Sequence, residues 1–355
     1  MYSAALLSLL TSSFGCMVYI PLRRVQRDVP EKEFIGENKF VGPVYLGVVK
    51  IGENTLETVF DTTNPNIWAI SSTCKSGICL DRRFTNYDIE KSPPASSGDE
   101  LFVYKEDRNS IKAHISRDVL QIGKLQITGQ AFGEVTKLFG PAFQERLFDC
   151  VFGLGGKAPF KNTTPFLDNI SSLQHFNRNV VGIWLPNPEH SLEGELVLGG
   201  VDTKKLAQTP FFIPTRRPGH WSATITAILY GEHTLVNNDR VAVFSTAAYL
   251  ISAPEDDSRH IHKILGFWKE KNLYRIECSK VEDLKSITFN IGGEQIELKP
   301  REYTFVQKNE CFSGIVASRG NPSDEKTWSF GTLFMQSYYT IFNADASTLG
   351  FARSF

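Results

Sequence analysis

Two short stretches of this chain read alike and lie about half a chain apart. The first is ETVFDTTNPNIW, residues 57–68, and the second is VAVFSTAAYLISAP, residues 241–254. Each is a β-rich apolar run ending on a small polar cluster, the pattern of a strand that enters a tight turn. The first turn presents Asp61-Thr62-Thr63 and the second Ser245-Thr246-Ala247. Such a pair predicts duplicated halves that face one another, and 355 residues are enough to bury two cores.

The rest of the pattern is mostly strand. Phenylalanine is abundant, at 26 residues, and aromatic residues favour sheets. Residues 41–52 alternate and run into a Gly turn, and residues 56–60 carry the chain to Asp61. Residues 100–123 read as two strands around a charged tip at 105–109. Further strands are expected at 147–156, 179–186, 194–202 and 221–231, with a hairpin at 286–300 turning on Gly292-Gly293. The clearest helix lies within 256–271, where Ile261, Ile264, Leu265 and Trp268 fall at helical spacing. Residues 328–352 read as two more strands. The expected fold is all-β and two-lobed, with a few short helices.

Charge argues against some partners. The 38 basic and 39 acidic residues nearly cancel, so neither nucleic acid nor an anionic membrane is expected. Residues 1–16 read as a secretory leader: an apolar stretch from Ala4 to Leu10, then small residues before Cys16, without a basic start. No later run approaches the roughly 20 apolar residues of a membrane span. A secreted, extracellular protein is the expectation, and six cysteines fit it. Cys74 and Cys79 enclose a turn short enough to be stapled, Cys278 and Cys311 offer a longer loop, and Cys150 has no evident mate. Six unpaired buried thiols are the competing reading. No C-x-x-C pair or histidine cluster accompanies them, so neither metal nor cofactor is expected. Asn169-Ile170-Ser171 and Asn162-Thr163-Thr164 are glycosylation sequons, the second weakened by Pro165.

Several motifs then fall in one order. VFDTTNPNIW, the Cys74–Cys79 loop, GELVLGGVD (194–202), the Cys278–Cys311 pair and YYTIFNADASTLGFA (338–352) resemble the pepsin-like aspartic protease family, from about Ile20 to Phe355. The resemblance implies the bilobal acid-protease fold with a central interlobe cleft. It divides the chain into a leader at 1–16, an amino-terminal lobe at 17–203 with a vestigial prosegment-like start, and a carboxyl-terminal lobe at 204–355. It also implies the disulfides Cys74–Cys79 and Cys278–Cys311. Asp61 matches the first catalytic carboxylate of the family, and Ser245 occupies the position of the second.

The departures concern chemistry. Aspartic proteolysis uses two adjacent carboxylates that share one proton. One takes a proton from water while its protonated partner polarises the scissile carbonyl. A serine hydroxyl donates a hydrogen bond but does not exchange a proton as an acid does. Thr63 and Ala247 stand where the family has glycine, which lets the backbone approach closely. Asn64 replaces the serine that hydrogen-bonds the first carboxylate, Ala248 replaces a hydroxyl, and Thr332 replaces a commonly acidic residue. Thr62 and Thr246, which brace the lobes in the family, are kept. Tyr104 matches the flap tyrosine only after a one-residue shift, and the tip after it is KEDRNS rather than glycine-rich. IPLRRVQRD (20–28) resembles the start of a zymogen prosegment joined almost directly to the first mature strand. That short arrangement is also similar to inactive arthropod homologues, which include a cockroach allergen.

The expectation is a secreted homologue without proteolytic activity, whose cleft holds a peptide, a lipophilic ligand or a protein partner. The alternative is an aspartic endopeptidase with weak residual activity through Asp61. A third reading is a structural or storage role with nothing in the cleft. His260 and His262 lie near Asp256 and Asp257, but their spacing puts them on different helix faces, which argues against a metal site. Ser245 has no histidine nearby in sequence to activate it. No sequence signal sets the oligomeric state.

Overall fold

The computed structural model describes residues 17–25, 43–81, 83–92, 95–106, 109–140, 143, 147–156, 163–172, 176–187, 191–271, 273–318 and 326–355. For 99–102, 104–106 and 172 it describes the backbone alone. The leader at 1–16, residues 26–28, the tip at 107–108 and Asn162 lie outside the described residues.

Alternation builds the sheets. In the strand Val18–Val25, Val18, Ile20 and Leu22 are buried while Tyr19, Pro21 and Arg23 are exposed. Period two puts one face in the core. This strand lies between Glu193–Leu198 and Val44–Ile51 in a 13-stranded sheet. The sheet draws on both halves of the chain. Tyr338–Asn343 pairs with Val180–Trp184 on one side and with Thr348–Arg353 on the other, and Phe211–Pro214 closes that edge. An eight-stranded and a four-stranded sheet are built from the second half alone. One buried cluster runs from Ile20 and Phe60 through to Phe244, Phe330 and Phe351.

The helix expected within 256–271 is Glu255–Leu265. Its first turn carries Glu255, Asp256 and Asp257, which suit the positive end of the helix dipole. Gly266, at φ 76°, ends it by donating its N–H to the His262 carbonyl. Ile261 and Leu265 are buried, but Ile264 is 43% exposed and Trp268 42% exposed. Trp268 belongs to the strand Trp268–Glu270 and not to the helix, because the glycine cap comes first. Residues 328–352 likewise hold parts of three strands, with the helical turn Thr332–Met335 between the first and second. Cys74 is bonded to Cys79 and Cys278 to Cys311, while Cys150 is buried and free.

Each half repeats one arrangement. Asn54–Asp61 runs parallel to Cys150–Gly153, and Arg240–Phe244 runs parallel to Thr327–Phe330. Phe60 packs on Phe152 and Phe244 on Phe330, both with 5.2 Å between ring centroids. A glycine follows each second phenylalanine. A Cβ on Gly153 would stand 2.5 Å from the carbonyl oxygens of Asn64 and Asn66, and one on Gly331 would stand 2.4 Å from that of Leu250. Backbone cannot swing aside as a side chain can. Gly153→Ala is therefore expected to lower the free energy of unfolding by about 1–3 kcal/mol. Urea denaturation checks this, and an unchanged midpoint would contradict it.

Candidate active site

Asp61 ends its strand pointing into the junction of the halves and is only 2% exposed. Its Oδ1 accepts two hydrogen bonds from one residue, the Thr63 N–H at 2.8 Å and the Thr63 hydroxyl at 2.6 Å. The side chain that a glycine would lack thus clamps the carboxylate. Asn64 turns away: its Oδ1 accepts from the Asn66 N–H at 2.9 Å, an Asx turn. The contact expected near position 64 is supplied from position 63 instead.

Thr62 and Thr246 join the two turns reciprocally. The Thr62 hydroxyl donates to the Phe244 carbonyl at 2.8 Å and accepts from the Thr246 N–H at 3.1 Å. The Thr246 hydroxyl donates to the Phe60 carbonyl and accepts from the Thr62 N–H at 3.0 Å. Ser245 therefore sits beside the Asp61 turn, buried, with its N–H on the Phe330 carbonyl at 2.9 Å. Its hydroxyl makes no hydrogen bond to Asp61 or to any other described residue. Among the described residues no second carboxyl group bonds Asp61 either.

The neighbours are apolar or only partly satisfied. Ala247 is buried in the cluster that holds Val44, Leu46 and Val59. Thr332 donates its N–H to the Ala248 carbonyl at 2.8 Å, while its hydroxyl is buried without a partner. With Tyr45, Phe60 and Thr246 it faces a cavity of about 10 Å³, close to the least that takes one ordered water. Tyr104 lies opposite Ile111 in the hairpin of Ser96–Glu106 with Asn109–Ile122, where the flap is expected. Asn169 is half-buried in the helix Phe166–Ser172, and its amide donates to Gln130 Oε1 at 2.9 Å. The nitrogen that a glycan would use is occupied there. His260 is exposed and His262 buried, and the described residues contain no group of three or more His, Cys, Asp or Glu suited to a metal ion.

A larger cavity, about 190 Å³, opens beside Thr62 and Thr63. Pro65 and Gly155 line one side, and Trp221, Val241 and Val243 the other. The Trp221 indole N–H donates to the Leu154 carbonyl at 2.8 Å, bridging the halves. Sequence reasoning did not single out Trp221, because it reads only as the start of an alternating strand. What brings it to the site is a contact 67 residues away in the chain.

The chain is similar in sequence to known proteins over most of its length. The sequence model of the eukaryotic aspartyl protease family matches residues 44–354. Renin of Rattus norvegicus is 30% identical over 320 residues, which cover 87% of this chain and 79% of that protein. Cathepsin D of Clupea harengus is 28% identical over 320 residues, covering 87% and 81%. Cathepsin E of Aquarana catesbeiana is 26% identical over 314 residues, covering 87% and 79%.

Proposed function

The chain belongs to the eukaryotic aspartyl protease family, and from that premise we propose that it is a proteolytically silent member, secreted and kept for binding an extended peptide in its cleft. One observation carries the reading. Among the described residues the Asp61 carboxylate is held by Thr63 alone, and the residue across the junction is Ser245. The family reaction needs a carboxylate that removes a proton from water and a protonated carboxyl that polarises the carbonyl. Asp61 can fill one role at a time. The Ser245 hydroxyl can donate a hydrogen bond to a carbonyl but cannot pass a proton on and recover it.

Losing one positioned acid or base typically lowers a rate about 10²–10⁴-fold. Here Thr63 and Ala247 also place side chains where the reaction needs open backbone, which disfavours residual turnover through Asp61 as well. A cavity of about 190 Å³ beside Thr62 and Thr63, with an apolar wall at Trp221, Val241 and Val243, supports the binding role, since binding sites pair apolar walls with a few polar groups. Two disulfides suit an oxidising compartment. No described helix is long and apolar enough to cross a membrane.

The direct test is incubation of the purified protein with denatured globin from pH 2 to 7. No cleavage above that of an Asp61→Ala variant is expected. Pepstatin-sensitive cleavage that disappears in Asp61→Ala would overturn the proposal. Native mass spectrometry of secreted material then identifies what fills the cleft, and a lipid in place of a peptide would redirect the ligand assignment.

A further inference from the structure

The turn between Phe211–Pro214 and Ser222–Tyr230 contributes Gly219, His220 and Trp221 to the wall of the large cavity. The same turn carries Arg216 and Arg217, both exposed. Neither pairs with a carboxylate among the described residues. Several arginines, among them Arg23, Arg275, Arg301 and Arg353, do hold an acidic partner, while Arg117 and Arg178, like this pair, hold none among the described residues.

The turn is pinned. The Arg216 N–H donates to the Ser222 carbonyl at 2.8 Å, and the Gly156 N–H reaches the Gly219 carbonyl at 3.0 Å across the junction. Thr215 is fixed by the Ser347 carbonyl through its N–H at 2.9 Å. Gly219, at φ 75°, takes a left-handed conformation that other residues adopt rarely. Two exposed arginines thus sit on a pinned backbone immediately before the residues of the turn that line the cavity, and that lining contains no acidic residue.

We infer that this end of the cleft selects an acidic peptide segment, with apolar side chains against Trp221 and Val243 and a carboxylate on Arg216 or Arg217. The inference rests on the peptide-binding role proposed above and adds the chemistry of the ligand. A guanidinium fork matches a carboxylate in two parallel hydrogen bonds. Each pair is partly solvated, so it sharpens choice more than it adds affinity.

The probe is a pair of fluorescein-labelled eight-residue peptides of Val, Leu and Ala, one ending in two Glu and its isostere ending in two Gln, each also made with the polar pair at the other end. Fluorescence polarisation against the full chain at low salt should show the Glu peptide binding roughly three- to tenfold more tightly, since exposed ion pairs are individually weak. The preference should shrink at about 1 M salt, where the screening length falls to a few ångströms. It should vanish in Arg216→Gln/Arg217→Gln, two exposed changes that leave the core untouched. Equal binding of the Glu and Gln peptides would overturn the acidic preference and leave the cleft-binding reading standing. If no peptide binds, both are overturned.

Discussion

Thr62→Val will lower the free energy of unfolding by about 2–5 kcal/mol, although valine has nearly the shape of threonine. The hydroxyl it removes does two things at once. It donates to the Phe244 carbonyl and accepts the Thr246 N–H, both at the ends of strands from the other half. Thr62 is 2% exposed, so water cannot replace it freely. Each buried backbone group left unpaired costs about 1–3 kcal/mol. Thr246→Val should behave alike, since its hydroxyl serves the Phe60 carbonyl and the Thr62 N–H. The double variant should lose less than the sum, because the two hydroxyls also contact each other. Thr62→Ser keeps the oxygen and should keep most of the stability. Urea denaturation with parallel circular dichroism reads all four proteins. A valine variant within about 0.5 kcal/mol of the parent, the range of an ordinary surface change, would show that the threonine pair does not hold the halves together. The two turns that carry Asp61 and Ser245 are therefore fastened by a bond set that needs neither of those side chains.

What the sequence made legible was local. The apolar runs ending in VFD and VFS marked the two strands and the turns behind them, and Gly292-Gly293 marked the turn between Ile287–Ile291 and Glu294–Leu298. Periodicity reports which face is buried but not what lies against it. Hence the pairing of Tyr338–Asn343 with Val180–Trp184, far apart in the chain, was out of reach. The role of Thr63 was hidden for a related reason. Its substitution for glycine was visible, but the side-chain rotamer that aims its hydroxyl at Asp61 is set by the fold. Trp268 fitted a helical stripe by spacing, and the stripe was cut short by the left-handed Gly266 before reaching it. Nothing local in the sequence relates Arg216 and Arg217 to the cavity; the fold does, by bringing the neighbouring Gly219, His220 and Trp221 into its wall.

Acid will destabilise this protein through His262. The imidazole is 1% exposed on the helix Glu255–Leu265 and lies flat against Tyr274, with 3.6 Å between ring centroids. Its hydrogen bonds run in one direction. Nδ1–H donates to the Ser258 carbonyl at 2.6 Å, and Nε2 accepts from the Ser313 hydroxyl at 2.7 Å, which in turn accepts from the Ile315 N–H. A neutral ring satisfies every one of these bonds. Phe267 closes the edge, and among the described residues no carboxylate contacts the ring to favour its cation. Burial therefore pushes the group down to about 4, against the milder opposing pull of the Ser258 carbonyl. In the unfolded chain it titrates near 6.5. Between those values the unfolded state binds the extra proton, so stability is complete above about pH 7 and falls as pH drops through 6.5. The loss should reach about 2 kcal/mol by pH 5 and about 3 kcal/mol near pH 4. His262→Phe keeps an aromatic ring and cannot titrate. Its stability at pH 7 will be lower for want of the two hydrogen bonds, but its slope between pH 7 and 4 should be shallower by up to one proton. Identical slopes in urea titrations of the two proteins would assign the acid sensitivity elsewhere.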